Sequence, residues 1–340
     1  MKITINEVAA AAGVSIKTVS RVLNQEPNVS AEKRRMVEQV CMKLNYKPNP
    51  FARSLAGQRS YVVSLVYDNP SSNYMMEVQR GVLEACRANH YNLVLTPVSF
   101  SSRRFLADVK DFFANIKCDG IILIPPLTDD ARLIDFLNKR KTPFACISPL
   151  DKDQCIGATL EESEAVFELI SLLIAKGHRH IGHIMGHPAH GACKWRLAGY
   201  RDALRHAGIA FDNKLVVPGE FTFESGVRGA NALLDLPSPP TAIFAANDDM
   251  AAGVICAAYK RGLVIPKDLS VCGFDDTPIS RNIYPALTTI RQPTCDMGTA
   301  AMQELLKEIR KKGSGTLVSM PYSLQIRDSI EAAALSPVLS

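Results

Sequence analysis

Near the N-terminus a helix-length run places Lys17, Ser20, Arg21 and Asn24 on one face and Val19, Val22 and Leu23 on the other. Cationic, hydroxyl and amide groups on one helical face are equipped to hydrogen-bond phosphates and base edges. A guanidinium such as that of Arg21 can donate two parallel hydrogen bonds to guanine O6 and N7 in a major groove. A second group that could do chemistry is His178, His180, His183, His187 and His190. Residues 180 and 183 fall in a strand-like run, where positions i and i+3 point to opposite faces, so no metal site is expected. The nine cysteines (41, 86, 118, 146, 155, 193, 256, 272 and 295) are odd in number, scattered and free of any C-x-x-C pair. That argues against a disulfide framework or a zinc knuckle, and most are expected to be small buried hydrophobes. The chain has no G-x-S-x-G elbow, no G-x-x-x-x-G-K-S/T loop and no H-E-x-x-H pair, so no catalytic residue and no cofactor is assigned.

The elements that must carry the polar face form a basic segment. Residues 1–60 hold ten Lys+Arg against four Asp+Glu, a net +6, while the other 280 residues hold 29 against 30. A basic module on a neutral body suits a polyanion partner. Ile5, Val8, Ala9 and Ala12 follow helical spacing up to Gly13. Ser15 can cap a second helix, and Ser30 a third with Val37, Val40, Cys41 and Leu44 inward. Two helices joined by a turn containing Gly, the second with a polar face, is the helix-turn-helix pattern. Beyond Pro48, Asn49 can cap a short helix with Pro50 at its first position, running Phe51 to Ala56 and closed by Gly57. So short a helix is marginal in water and should form only when something holds it.

From Tyr61 onward short apolar runs alternate with amphipathic helices: 62–66, 93–96, 120–124, 144–147, 181–185, 242–245 and 269–272 read as strands. Such alternation implies parallel sheets covered on both faces, and the number of units implies two doubly wound subdomains with a cleft between them. The longest apolar runs, such as Ala251 to Tyr259, fall far short of the roughly 20 residues of a membrane span. Met1 to Ser15 lacks the apolar core of an export signal, so a cytoplasmic, nucleoid-associated location is expected.

These residues resemble the lac/galactose repressor family of bacterial transcription regulators. The match runs through Thr4-Ile5-Asn6-Glu7-Val8-Ala9, Ala12-Gly13-Val14-Ser15, Thr18-Val19-Ser20-Arg21-Val22-Leu23-Asn24 and Ala52-Arg53-Ser54-Leu55-Ala56. It continues in Gly177-His178-Arg179, Arg196-Leu197-Ala198-Gly199-Tyr200, Ala246-Asn247-Asp248 and Gly273-Phe274-Asp275-Asp276-Thr277. Glu7 stands where the family usually has aspartate, and Ala158 to Glu162 departs from the family's aspartate followed by a small loop. The resemblance implies an α/β protein with an all-α helix-turn-helix headpiece (1–47), a hinge helix and linker (48–60) and a periplasmic-binding-protein-like core (61–332). In that core the N-subdomain is expected at about 61–157 and 288–318, and the C-subdomain at about 158–287 and 319–332. A tail follows at 333–340.

The family also implies roles. Arg21 would read a base, Ile16 and Lys17 would set operator preference, and Ser15, Thr18 and Asn24 would touch phosphate. In the hinge, Asn49, Ala52 and Arg53 would contact DNA, and Leu55 would wedge into the minor groove. In the cleft, Tyr74, His190, Arg196, Phe221, Asn247 and Asp275 would hold a small effector. Paired donors and acceptors beside an aromatic wall suit a sugar or sugar derivative, with a purine-type co-repressor as the alternative. The expected protein is a ligand-responsive homodimeric repressor of a palindromic double-stranded DNA operator, with no membrane partner. A sugar-binding or sugar-processing protein is the lesser reading. No leucine heptad follows Ile330, so the tetramerising tail of the lac repressor is expected to be missing.

Overall fold

The computed structural model describes residues 3–23, 29–46, 59–153, 155–311 and 313–333, which divide into two compact units at Tyr61. In the first, α1 (Ile5–Ala11) starts at Thr4. The Glu7 carboxylate turns back to accept from Thr4 N at 2.7 Å and from its hydroxyl at 2.9 Å, which holds that carboxyl below its usual range. Gly13, at φ +61°, makes the turn that a side chain would strain. α2 (Ile16–Leu23) follows, with Ser15 Oγ accepting from Thr18 N at 3.2 Å, and α3 (Ala31–Lys43) is capped by Ser30. Val8, Val19 and Val37 are fully enclosed where the three helices meet, each contributing about 1.5 kcal/mol or more. The expected short helix at 51–56 lies outside the described residues.

The second unit holds two six-stranded sheets. β1 (Val62–Tyr67), β2 (Asn92–Pro97), β3 (Gly120–Leu123), β4 (Phe144–Ile147), β5 (Gly157–Thr159) and β11 (Leu317–Ser319) form the first, in the order β11-β5-β4-β3-β1-β2. β6 (Ile181–Ile184), β7 (Val216–Val217), β8 (Ala242–Ala245), β9 (Ser270–Asp275), β10 (Thr288–Arg291) and β12 (Ser323–Gln325) form the second, in the order β12-β10-β9-β8-β6-β7. Every pairing is parallel except β10 with β12, and helices cover the faces, as the alternation requires. These helices are α4 (Ser72–Ala88), α5 (Phe105–Asn115), α6 (Ala131–Arg140), α7 (Glu162–Ala175), α8 (Gly191–His206), α9 (Phe223–Leu234), α10 (Asp248–Lys260), α11 (Ile279–Asn282) and α12 (Thr294–Arg310). Each lobe has its own core, around Val66, Ile121, Leu133 and Cys146 in one and around Ile184, Ile243, Met250 and Val254 in the other.

The chain passes between lobes after β5, after β10 and after β11. Three expected subdomain limits shift, one of them by a single residue, since Ser319 pairs with Thr159 in the first sheet. Residues 158–159 stay in the first sheet, where Ala158 pairs with Ile147 and Val318, and residues 288–291 belong to the second, where Ile290 pairs with Phe274. Strand pairing decides membership, and nothing in the run Thr288–Arg291 marks it as one lobe's strand or the other's. Among the described residues no helix is long and apolar enough to cross a membrane.

Candidate functional site

The first unit presents α2 with its inner side closed by Val19 and Val22. Ser15, Ile16 and Lys17 are exposed at its start, and Thr18 and Arg21 are half-buried further along. The Ser15 and Thr18 hydroxyls lie 2.9 Å apart, so both are held near the helix N-terminus, and Arg34 donates to Val22 O at the other end. Ile16, a large apolar side chain at 49% exposure, stands in water beside a lysine. Asn24 and the hinge positions Asn49, Ala52, Arg53 and Leu55 lie outside the described residues.

In the second unit Tyr74, His190, Arg196, Phe221, Asn247 and Asp275 line one cleft. They meet because each follows the C-terminal end of a parallel strand, or ends one: Tyr74 in the first turn of α4 after β1, His190 and Arg196 at and in α8 after β6, Phe221 after β7, Asn247 at the cap of α10 after β8, and Asp275 at the end of β9. The cleft spans about 420 Å³ counting its mouth.

Arg196 is the hub. Its Nε donates to Glu162 Oε2 at 2.7 Å, one terminal nitrogen donates to Ala246 O, and the other stands 3.8 Å from Asp275 Oδ1. Its guanidinium stacks on Phe274 at 3.8 Å. Asp275 accepts from Gln292, yet burial pushes its carboxyl up to about 7 against the opposing pull of Arg196 and Gln292. It also holds φ at +112°, and the cleft residues Ser148 and Phe221 hold +47° and +60°. Strained backbone of this kind persists only where the surroundings fix it, and it collects at functional sites. Phe221 lies flat over Gly186, where a Cβ would come within 2.0 Å of its ring, and meets His190 edge-on at 5.2 Å.

Asn247 was expected to offer donor and acceptor to a ligand. Its Oδ1 instead accepts from Met250 N at 3.0 Å as the cap of α10, and its Nδ2 donates to Phe221 O at 3.1 Å, so it holds the aromatic wall and keeps one N–H and one lone pair for the cleft. Asp248 is structural: fully buried, it accepts from Thr277 N, Thr277 Oγ1 and Thr289 Oγ1. Glu162 and Gln292 also line the cleft and were not anticipated. Glu162 lies in the segment that departs from the family pattern, which was its one signal; Gln292 gave none beyond following a strand.

The histidines disperse. His183 is sandwiched between Phe244 and Tyr200, His178 bonds Thr241 and Glu331 O, and His180 bonds Pro239 O. Among the described residues no three His, Cys, Asp or Glu side chains could hold a metal ion together.

Residues 4–49 match the profile described as bacterial regulatory proteins, lacI family, and residues 170–330 match that of a periplasmic binding protein-like domain. The chain is 32% identical to catabolite control protein A of Priestia megaterium over 97% of its own length and 99% of that protein's. The lac repressor dimer bound to operator and the anti-inducer ONPF superposes with a TM-score of 0.76 at 28% identity, over 98% of this chain and 100% of that one. The transcriptional regulator CelR in complex with cellobiose does so with a TM-score of 0.75 at 29% identity, over 96% and 100%.

Proposed function

The chain belongs to the lacI family of bacterial regulatory proteins, and from that premise we propose that it is a homodimeric repressor of a palindromic operator whose affinity for DNA is set by a small neutral sugar bound between its lobes. One observation carries the ligand class. Arg196 can only donate, and its charge is already matched by Glu162, so the cleft has no spare cation to select an anionic ligand. What remains is a set of neutral or dual groups, the Asp275 carboxyl, Asn247, Gln292 and Ser71, beside the ring of Phe221. Adjacent hydroxyls donate and accept at once, and a sugar's C–H face suits an aromatic wall. The lac repressor and CelR relatives, one bound to operator and one to cellobiose, support both halves of the reading.

The mechanism is linkage. A sugar that contacts both lobes favours one angle between them, and pairing of the hinges on DNA depends on that angle. The protein acts by binding rather than catalysis, on nucleoid DNA in the cytoplasm. A thermal-shift screen against neutral mono- and disaccharides, hexuronates and purines tests the ligand class. A neutral sugar should raise the unfolding temperature, since a ligand at 100 times its Kd contributes about 2.7 kcal/mol. Stabilisation only by hexuronates or by guanine and hypoxanthine would overturn it.

A further inference from the structure

Two thiols outside the cleft are paired. Cys146 lies in β4 inside the first lobe's core at 1% exposure, and Cys155, half-buried, sits just ahead of β5. The backbone brings them together: Cys146 N donates to Ile156 O at 2.8 Å, and Cys146 stands beside Gly157 in the parallel register. Both are free thiols and both pack on the same apolar cluster, and the Cys155 thiol donates to Asp151 O at 3.2 Å in the turn that returns the chain to Cys146. They are not equivalent. The neighbouring Cys146 thiol lowers the Cys155 thiol below its ordinary value against nearby Asp151, Asp153 and Asp129, while Cys155 and burial hold Cys146 well above. The accessible sulfur is thus the more acidic one, and a second thiol waits behind it. The connection between them carries Ser148 on the cleft wall and Leu150 against Gly191 of the other lobe, so the pair sits where the lobes adjoin.

We infer that Cys155 and Cys146 form a hydroperoxide-responsive disulfide site, with Cys155 the attacking thiol and Cys146 the resolving one. The Cys155 thiolate attacks one peroxide oxygen, the O–O bond breaks, and the leaving oxygen takes up a proton as an alcohol, or as water from hydrogen peroxide. The Cys146 sulfur then attacks the Cys155 sulfenic acid. The S–S bond forms, the S–O bond breaks, and hydroxide leaves as water with the Cys146 proton. Two thiols lose two electrons and the peroxide gains them.

Trypsin separates the two positions, since Lys141, Lys152 and Lys176 bound peptides 142–152 and 153–176, each with a single cysteine. The full chain is treated with stoichiometric hydrogen peroxide, alkylated and digested without reductant. The two peptides should appear joined by a bond that dithiothreitol cleaves, and the Cys155 thiol should disappear at least about tenfold faster than those of Cys86 and Cys272. In Cys146→Ala the link should vanish and dimedone should label 153–176; in Cys155→Ala neither product should form. Separately alkylated peptides from oxidised wild type would overturn the proposal, and that measurement needs no variant to fold. Dimedone labelling of Cys146 in Cys155→Ala would also overturn it, by reversing the roles.

Discussion

Arg196 Nε and Glu162 Oε2 lie 2.7 Å apart with both side chains almost wholly buried, so the cleft's one cation is neutralised from within the protein. A buried charge stripped of its partner is costly, about 3–5 kcal/mol, whereas a buried pair replaced whole often is not. Glu162→Gln should therefore cost about 3 kcal/mol of stability, near the low end because Asp275 remains at 3.8 Å. Adding Arg196→Met should restore much of it. Urea midpoints of the two variants decide the matter; a loss under about 1 kcal/mol for Glu162→Gln would mean that Asp275 alone carries the pair.

Asp275 holds a conformation that L-residues avoid, at φ +112°. Asp275→Gly removes that strain and a buried carboxyl, which together offset the extra chain entropy of glycine. The variant should unfold at a temperature no lower than wild type, bind operator as wild type does and lose its response to the stabilising sugar. Fluorescence anisotropy with and without that sugar gives the readout. An unchanged response would remove Asp275 from the ligand set.

Much of this site could be read before the fold was seen, and the reasons differ by residue. The strands that aim Tyr74, Arg196 and Asp275 are mostly apolar runs of four to six residues buried on both faces, long enough to register as strands of a parallel sheet. β5, β7 and β11 are two or three residues long, too short for any period to register. Glu161, Glu162 and Glu164 all begin α7, where acidic side chains are ordinary because they favour a helix N-terminus. Only packing against α8 decides that Glu162 turns inward. Asn247 shows a second role that its type left open, since an amide that reads as a ligand contact also makes a good helix cap.

Gly186 makes a sharper test of the aromatic wall. A Cβ there would lie 2.0 Å from Phe221 Cζ, and Phe221 cannot retreat while Asn247 holds its carbonyl. Gly186→Ala should swing the ring into the cleft and weaken ligand binding by at least about tenfold, leaving operator affinity unchanged. Isothermal titration measures the first and anisotropy the second. Undiminished ligand affinity would show that the ring is not part of the wall.

The last expectation concerns pH and His183, which stacks on Phe244 at 4.7 Å and on Tyr200 at 5.4 Å. Its Nδ1 donates to Phe244 O at 3.1 Å, and its buried Nε2 has no partner, so a proton placed there would find no acceptor. Burial accordingly pushes its pKa down to about 4. A folded value below the unfolded one, about 6.5, means that folding favours the neutral ring: the contribution is complete above pH 6.5 and is lost as pH falls toward 4. Asp275 titrates in the opposite sense, its contribution fading as pH rises through about 7, so absolute stability mixes the two. A comparison between wild type and His183→Phe at two pH values removes the shared groups. At pH 8 the variant should be no more stable than wild type, having lost the bond to Phe244 O. At pH 5 it should gain about 2 kcal/mol relative to wild type, since each pH unit below the unfolded value is worth about 1.4 kcal/mol. Urea midpoints at both pH values give the difference, and a gap that stays constant or widens against the variant on acidification would show that His183 is not held neutral.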